Sequence, residues 1–167
     1  PVGAVTVDGK GKVVTAGLFA SGSQLGLFEV GLETASDDDH LAGAATPGFR
    51  TADGFNPLSP HIAVDREEGV TSVLLAPGGG KLLSGQGFVV ELASRLDALP
   101  DGSKPAALFG SFDGWTAEAF GGSRAGLLLG LREILDDARF YKAHVAAFDK
   151  GESRALKLSP THLKALQ

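Results

Sequence analysis

Several residue types that support common chemistries are absent or scarce in this sequence. None of the 167 residues is cysteine, which excludes disulfide bonds, a thiolate zinc site and a cysteine nucleophile. The 15 lysines and arginines are outnumbered by 20 aspartates and glutamates and form no basic cluster, so no nucleic-acid partner and no membrane partner are expected. No apolar run approaches the roughly 20 residues that a membrane-spanning helix needs. The composition does not indicate a compartment.

What remains is sufficient for a folded domain. Hydrophobic residues make up 43% of the chain and charged residues 21%, which is enough apolar surface to bury a core. The sequence contains no methionine, and a helix start at Ser159 and Pro160 comes only a few residues before its last one. Both features predict that this sequence is part of a larger protein.

Short apolar runs bounded by glycine or proline predict strands. The clearest run, residues 70–76, is typical of a buried strand in a parallel sheet. Further strands are predicted at residues 18–27, 88–92 and 106–112, and a hairpin is predicted at residues 2–15. Residues 18–20 and 70–76 are expected to be neighbouring parallel strands, both largely buried, because a long connection separates them.

Helices are predicted between these strands. Residues 60–68 fit a short helix, and residues 124–149 carry an apolar stripe that ends near Gly151. Strands that alternate with helices indicate an α/β protein with a mainly parallel sheet.

Common ligand-binding motifs are not satisfied. The glycines at positions 78–80 and 85–87 match neither a phosphate-binding loop nor a dinucleotide fingerprint. The four histidines form no local metal pair, and His144 and His162 are expected to be partly exposed and solvent-facing, respectively. The acidic run at residues 37–39 lacks the alternating spacing of a calcium loop and is interpreted as a solvated loop.

One stretch resembles a known family. Residues 8–26 read DGKGKVVTAGLFASGSQLG, which is similar to the opening pattern G-K-V-V-x-P-G-L-I-D-x-H-x-H-L-G of the metal-dependent amidohydrolase superfamily, in particular its imidazolonepropionase-like branch. Later segments follow in the same order as in that branch. They are FRTAD at 49–53, NPLSP at 56–60, EGVTSV at 68–73, APGGG at 76–80 and SGQG at 84–87.

The resemblance implies a partial (β/α)8 barrel of the TIM type with a short β-sandwich segment at its N-terminus. Residues 1–16 would be part of a composite sandwich domain, and residues 17–167 would be the N-terminal part of the barrel. Residues 18–27, 70–76 and 106–112 would be barrel strands one, two and three. A whole barrel takes about 250 residues, so this chain cannot close one.

The residues at the family's metal positions differ in this sequence. The two histidines of the His-x-His motif correspond to Gly22 and Gln24, and the preceding aspartate corresponds to Ala20. The family would imply zinc or another divalent metal, but neither glycine nor glutamine supplies imidazole, thiolate or carboxylate. We therefore predict no metal ligands and no catalytic residues in this chain. Ser23, Gln24, Ser84 and Gln86 are the predicted ligand-binding residues, because binding sites of barrels lie at the C-terminal ends of their strands.

Three functional hypotheses follow. The first is a hydrolase of C–N bonds, such as those of cyclic amides, that uses a metal-activated water. The second is a degenerate amidohydrolase homologue that binds a ligand or a partner. The third is a fragment associated with a second chain. Because the predicted barrel strands would leave an open apolar edge, the expected partner is the remainder of the barrel or a second copy of this chain.

Overall fold

The computed structural model describes residues 3–93 and 104–167 of the chain. These residues contain five short strands and six α-helices. The strands are β1 (Leu18–Ser23), β2 (Val70–Leu75), β3 (Gly85–Gly87), β4 (Val89–Glu91) and β5 (Ala107–Phe109). The helices are α1 (Thr51–Gly54), α2 (Pro60–Glu67), α3 (Gly114–Glu118), α4 (Arg124–Ala143), α5 (Val145–Asp149) and α6 (Pro160–Lys164). A 3-10 helix covers Thr34–Ser36.

The larger sheet has the strand order β1-β2-β4. β1 and β2 pair in parallel, with Leu18 opposite Val70 and Ala20 opposite Val73, and β4 pairs antiparallel with β2. The predicted parallel neighbours are therefore confirmed. The fold is mixed α/β, as expected, but its sheets are small and open and do not form a closed barrel.

The core beneath this sheet is built from β2, β4 and α2. Val73 and Leu75 of β2 are fully buried, and they pack in one cluster with Ile62 of α2 and Val90 of β4. The prediction that β1 is also largely buried is wrong. Phe19 is 54% exposed, and within the described residues β1 is an edge strand of its sheet, paired with β2 on one side only.

The segment assigned to barrel strand three lies in a different sheet. β5 pairs antiparallel with β3, with Phe109 opposite Gly85, in a sheet of two strands. Residues 106–112 therefore do not continue the parallel sheet of β1 and β2, and this part of the prediction is wrong. The intervening Phe88 is fully buried, and its carbonyl accepts a hydrogen bond from the backbone N–H of Leu75, 2.8 Å away.

The predicted N-terminal hairpin does not form within residues 3–17. The turn is present, with the backbone N–H of Lys12 donating to the carbonyl of Gly9 at 2.9 Å, but neither flank of the turn is a strand. Val5 and Val14 are 87% and 90% exposed. A lone hairpin is marginal without a sheet to pack on, and none covers these valines here. Pro1 and Val2, where the prediction began, lie outside the described residues.

The predicted helix starts are confirmed. α2 begins at Pro60 after Ser59, as the sequence predicts, and α6 begins in the same way at Pro160. The long helix predicted at 124–149 is divided at His144, whose backbone leaves the helical conformation (φ −130°, ψ 27°). The ring of His144 stacks on Phe140, and its Nδ1 lies 2.9 Å from the Phe140 carbonyl. This local pairing accompanies the break.

A buried carboxylate attaches the loop after α5 to α4. Asp137 is 5% exposed and accepts a hydrogen bond from the Arg154 guanidinium at 2.7 Å and another from the backbone N–H of Lys157 at 2.8 Å. Both carboxylate oxygens are thereby satisfied, which a buried charge requires. The loop in turn leads to α6, whose Leu163 is fully buried against α4.

None of the helices in the described ranges is both long and apolar enough to cross a membrane.

The two faces of α4 allow a matched test of the core. Ile134 is 3% exposed and Leu128 is 46% exposed on the same helix. Ile134→Ala should lower the free energy of unfolding by about 2–5 kcal/mol, because it leaves a cavity in the core. Leu128→Ala should change it by less than about 0.5 kcal/mol. Urea denaturation of the two variants measures the difference, and equal losses would contradict the packing of α4.

Candidate functional site

The C-terminal ends of β1 and β2 bring polar groups together. The backbone N–H of Ala76, directly after β2, donates to the carbonyl of Ser23 at 2.8 Å. The Ser23 hydroxyl accepts from the backbone N–H of Leu25 at 3.1 Å, and this turn places Gln24 just beyond the strand. This is the edge of a parallel sheet at which α/β proteins usually bind ligands.

Gly22 distorts the end of β1. Its φ is +74°, in the left-handed region, and the pairing with β2 shifts register between Ser21 and Ser23. Positions 22 and 24 therefore do not follow the regular alternation that would place two side chains on one face of a strand. A histidine at position 22 would have open space but a strained backbone.

Gln24 is bound to a buried carboxylate. Its side-chain Nε2 donates a hydrogen bond to Oδ2 of Asp39, a residue that is only 7% exposed. The backbone of Asp39 is fixed as well, because its carbonyl accepts from the N–H of Gly78 at 2.8 Å. A Cβ at Gly78 would lie 2.8 Å from Oδ1 of Asp39, so only glycine leaves room for this carboxylate. The ends of both parallel strands thus hold Asp39.

His40 completes the group that we call the strand-end cluster, which consists of Gln24, Asp37, Asp39 and His40. Nδ1 of His40 lies 2.7 Å from Oδ1 of Asp39 and 3.4 Å from Oδ1 of Asp37. Burial raises the pKa of the Asp39 carboxyl, and the hydrogen bond with His40 only partly offsets this. Desolvation also acts on Asp37, but hydrogen bonds with Asp39 and the charge of His40 outweigh it and lower the pKa of Asp37.

The interpretation of residues 37–39 as a solvated loop is therefore wrong for Asp39. Donor atoms of Asp37, Asp39 and His40 lie within 4.8 Å of one another, a spacing that a cation could bridge. Both carboxylate oxygens of Asp39 are already used by hydrogen bonds from Gln24 and His40. We therefore assign no cation to the cluster.

Ser84 and Gln86 have other partners. Both are buried, and the Gln86 side chain donates to the carbonyl of Pro47 at 3.3 Å. The backbone N–H of Gln86 donates to Phe49 at 2.7 Å, and the Ser84 carbonyl accepts from the hydroxyl of Thr46 at 2.9 Å. These contacts attach residues 46–51 to β3. Ser23 and Gln24 lie together at the end of β1. The hydrogen bonds of Ser84 and Gln86 go to other residues and not to this pair.

A groove opens beside the strand-end cluster. This α6 groove has a volume of about 450 Å³ and lies between residues 38–54 and the start of α6. His40, Arg50, Asp53 and His162 are among the residues that line it. His162 is not simply solvent-facing, as predicted, because its Nδ1 accepts a hydrogen bond from the backbone N–H of Gly48 at 3.0 Å. That bond joins positions 114 residues apart.

Sequence patterns alone do not identify Asp39 and His40 as members of the site, because Asp39 lies in an acidic run and His40 is one of four scattered histidines. The sequence does contain one indication of the site. Residues 37–40 lie in the connection that follows a predicted parallel strand, and such connections lie near the carboxyl ends of the strands, where α/β proteins usually bind ligands.

The fold is mixed α/β, and polar residues gather where its parallel strands β1 and β2 end. No family model matches the chain. Over 99% of its length it superimposes on a solved amidohydrolase from Thermotoga maritima MSB8, with a TM-score of 0.79 and 26% sequence identity. The chain spans 45% of that structure's chain.

A sequence comparison also matches a protein that is named an amidohydrolase. The amidohydrolase tasK of Hapsidospora irregularis is 33% identical over 110 residues, which are 65% of this chain and 11% of that protein. The resemblance to the amidohydrolases predicted from the sequence is therefore confirmed, because both proteins to which this chain is similar are named amidohydrolases.

The space beside Asp39 can be tested with adjacent glycines. Gly78→Ala should lower the free energy of unfolding by about 1–3 kcal/mol, because its Cβ would press on the Asp39 carboxylate. A Cβ at Gly79 meets no atom within 4 Å, so Gly79→Ala should cost less than about 0.5 kcal/mol. Thermal or urea denaturation compares the two. A Gly78→Ala variant as stable as the Gly79→Ala control would contradict the packing of Asp39.

Proposed function

We propose that this chain is a degenerate amidohydrolase relative that binds a small ligand at the ends of β1 and β2, without metal ligands from β1. The observation that carries the proposal is the hydrogen bond from Gln24 to the buried Asp39. The family's second metal histidine corresponds to Gln24, and here that side chain holds a carboxylate. Ser23 and Gln24 are members of the proposed site, and Ser84 and Gln86 stay predicted members.

The metal that the family implies does not fit the end of β1. Gly22 has no side chain and a left-handed backbone, and the amide of Gln24 is already engaged. Zinc prefers imidazole, thiolate or carboxylate ligands, and neither position offers one. No step of a metal-dependent reaction can therefore be derived from these residues.

A hydrolase of C–N bonds is the second candidate. Its support is that both relatives are named amidohydrolases and that one of them matches the fold over nearly the whole chain. A metal for that reaction would have to be held by residues other than Gly22 and Gln24.

Metal analysis tests whether position 24 contributes a metal ligand. After incubation with zinc and dialysis, the unmodified protein should retain no zinc that depends on position 24, so Gln24→Ala should leave its zinc content unchanged. The Gly22→His, Gln24→His double variant should also gain no tight site, because the first histidine would need a strained backbone. Zinc is measured by mass spectrometry and calorimetry, with His144→Gln as the control for an exposed histidine. Stoichiometric zinc that Gln24→Ala removes would contradict the proposal.

We further propose that β1 is covered by a partner in the working protein, either the remainder of a barrel or a second copy of this chain. Leu18 and Phe19 support this, because they are 58% and 54% exposed on a strand whose outer edge has no neighbour in the described sheet. An open apolar edge favours association.

The mass of the protein in solution tests this partner. Light scattering after size-exclusion chromatography should give a species larger than the 17.1 kDa of one chain, and Phe19→Ser should shift it toward the monomer. Val64→Ser is the matched control, because Val64 is 60% exposed on α2, a helix that packs against β2. A strictly monomeric protein, or equal effects of both variants, would argue against the partner at β1.

A further inference from the structure

The pair formed by Asp39 and His40 has the construction of an acid–base dyad. Asp39 is buried and held from two sides, by the Gln24 amide at its side chain and by the Gly78 N–H at its carbonyl. The side chain of His40 is 49% exposed and meets the carboxylate at 2.7 Å. A fixed carboxylate behind a half-exposed imidazole is the arrangement that orients a histidine for proton transfer.

The hydrogen bond to Asp39 determines the tautomer of His40. A carboxylate only accepts, so the neutral ring carries its proton on Nδ1 and leaves the lone pair on Nε2. Within residues 3–93 and 104–167, no group contacts that Nε2. His40 lines the α6 groove, so its free acceptor is available to a ligand bound there.

His162 has the opposite tautomer in the same groove. Its Nδ1 accepts the backbone N–H of Gly48, so the neutral ring carries its proton on Nε2. The groove is therefore lined by one imidazole acceptor and one imidazole donor. Among the other charged residues that line the groove, Arg50 pairs with Asp53 at 3.4 Å, and Asp38 adds a carboxylate that disfavours an anionic ligand. These features suit a neutral ligand that develops negative charge on an oxygen.

We propose that the α6 groove is a metal-independent hydrolytic site for neutral acyl esters, with His40 as its general base. Nε2 of His40 takes a proton from a water, and the resulting hydroxide attacks the acyl carbon. The Nε2–H of His162 donates to the oxyanion of the tetrahedral intermediate. The C–O bond to the leaving group then breaks, the alkoxide or phenolate departs, and the proton returns from His40 to it or to solvent.

We choose an ester as substrate because of the rate enhancement that a histidine base can provide. A positioned imidazole base contributes about 10²–10⁴-fold to a rate, which is enough for an activated ester. The inference rests on the proposed function at one point, because Gln24 can hold Asp39 only if it is not a metal ligand. Asp39 acts as a positioning residue for His40.

Hydrolysis of p-nitrophenyl acetate by the full chain, with EDTA present, tests the proposal. His40→Gln should lower the protein-dependent rate by about 10²-fold, and Asp39→Asn by about tenfold or more. His144→Gln is the matched control and should leave the rate unchanged. His144 is also exposed and also uses Nδ1 in a hydrogen bond, to the Phe140 carbonyl, but it has no carboxylate and does not line the groove.

A second measurement starts from the unmodified protein. Long-range ¹H–¹⁵N spectra in mildly alkaline buffer should show the Nδ1–H tautomer for His40 and the Nε2–H tautomer for His162, and Asp39→Asn should change the tautomer of His40 alone. Equal rates for the unmodified protein and His40→Gln, or an Nε2–H tautomer at His40, would overturn the dyad. A rate abolished by EDTA would overturn metal independence. None of these results alters the zinc measurements at position 24, so the two proposals fail separately.

Discussion

The burial of Asp39 is the constraint on which the rest of the site depends. A carboxylate removed from water must be hydrogen-bonded, or its desolvation would cost several kcal/mol. Here the Gln24 amide and the His40 ring satisfy its oxygens, and the Gly78 N–H satisfies its carbonyl. These groups come from the end of β1, the loop that follows it and the end of β2. One buried residue, through its side chain and its backbone carbonyl, therefore connects three separate parts of the chain.

The parallel pair of β1 and β2 makes that convergence possible. Both strands end at the same edge of the sheet, and the connection between them contains the loop that returns with Asp39. The two strands differ in how many neighbours they have in the described sheet. β2 is the central strand and buries Val73 and Leu75, whereas β1 pairs there with β2 alone. The site is therefore formed at the ends of one central, buried strand and one edge strand.

Local patterns in the sequence predict much of the fold. The apolar run at β2, the Ser-Pro starts of α2 and α6 and the amphipathic stripe of α4 each reflect a short-range preference, and the structure contains all of them. The predicted hairpin does not form within residues 3–15, because its valines there need a neighbouring sheet that no local pattern can supply. The long helix is divided at His144, where a single side chain competes with the helical backbone.

The candidate site is harder to predict, because its defining contacts are distant in sequence. The bond from Gln24 to Asp39 spans 15 residues and depends on the bulge at Gly22, and the bond from Gly48 to His162 spans 114. The absence of histidines from positions 22 and 24 is visible in the sequence, but the replacement contact is not.

On the proposed function, position 24 has a structural role in place of metal binding. An amide at position 24 cannot bind a metal as an imidazole would, yet it can donate to a carboxylate at the same strand end. Once the carboxylate is held in this way, the adjacent imidazole is oriented by it. In the proposed site, the strand end offers directed hydrogen bonds in place of a metal ligand, and the proposed chemistry there depends on proton transfer and hydrogen bonding by this chain's own side chains.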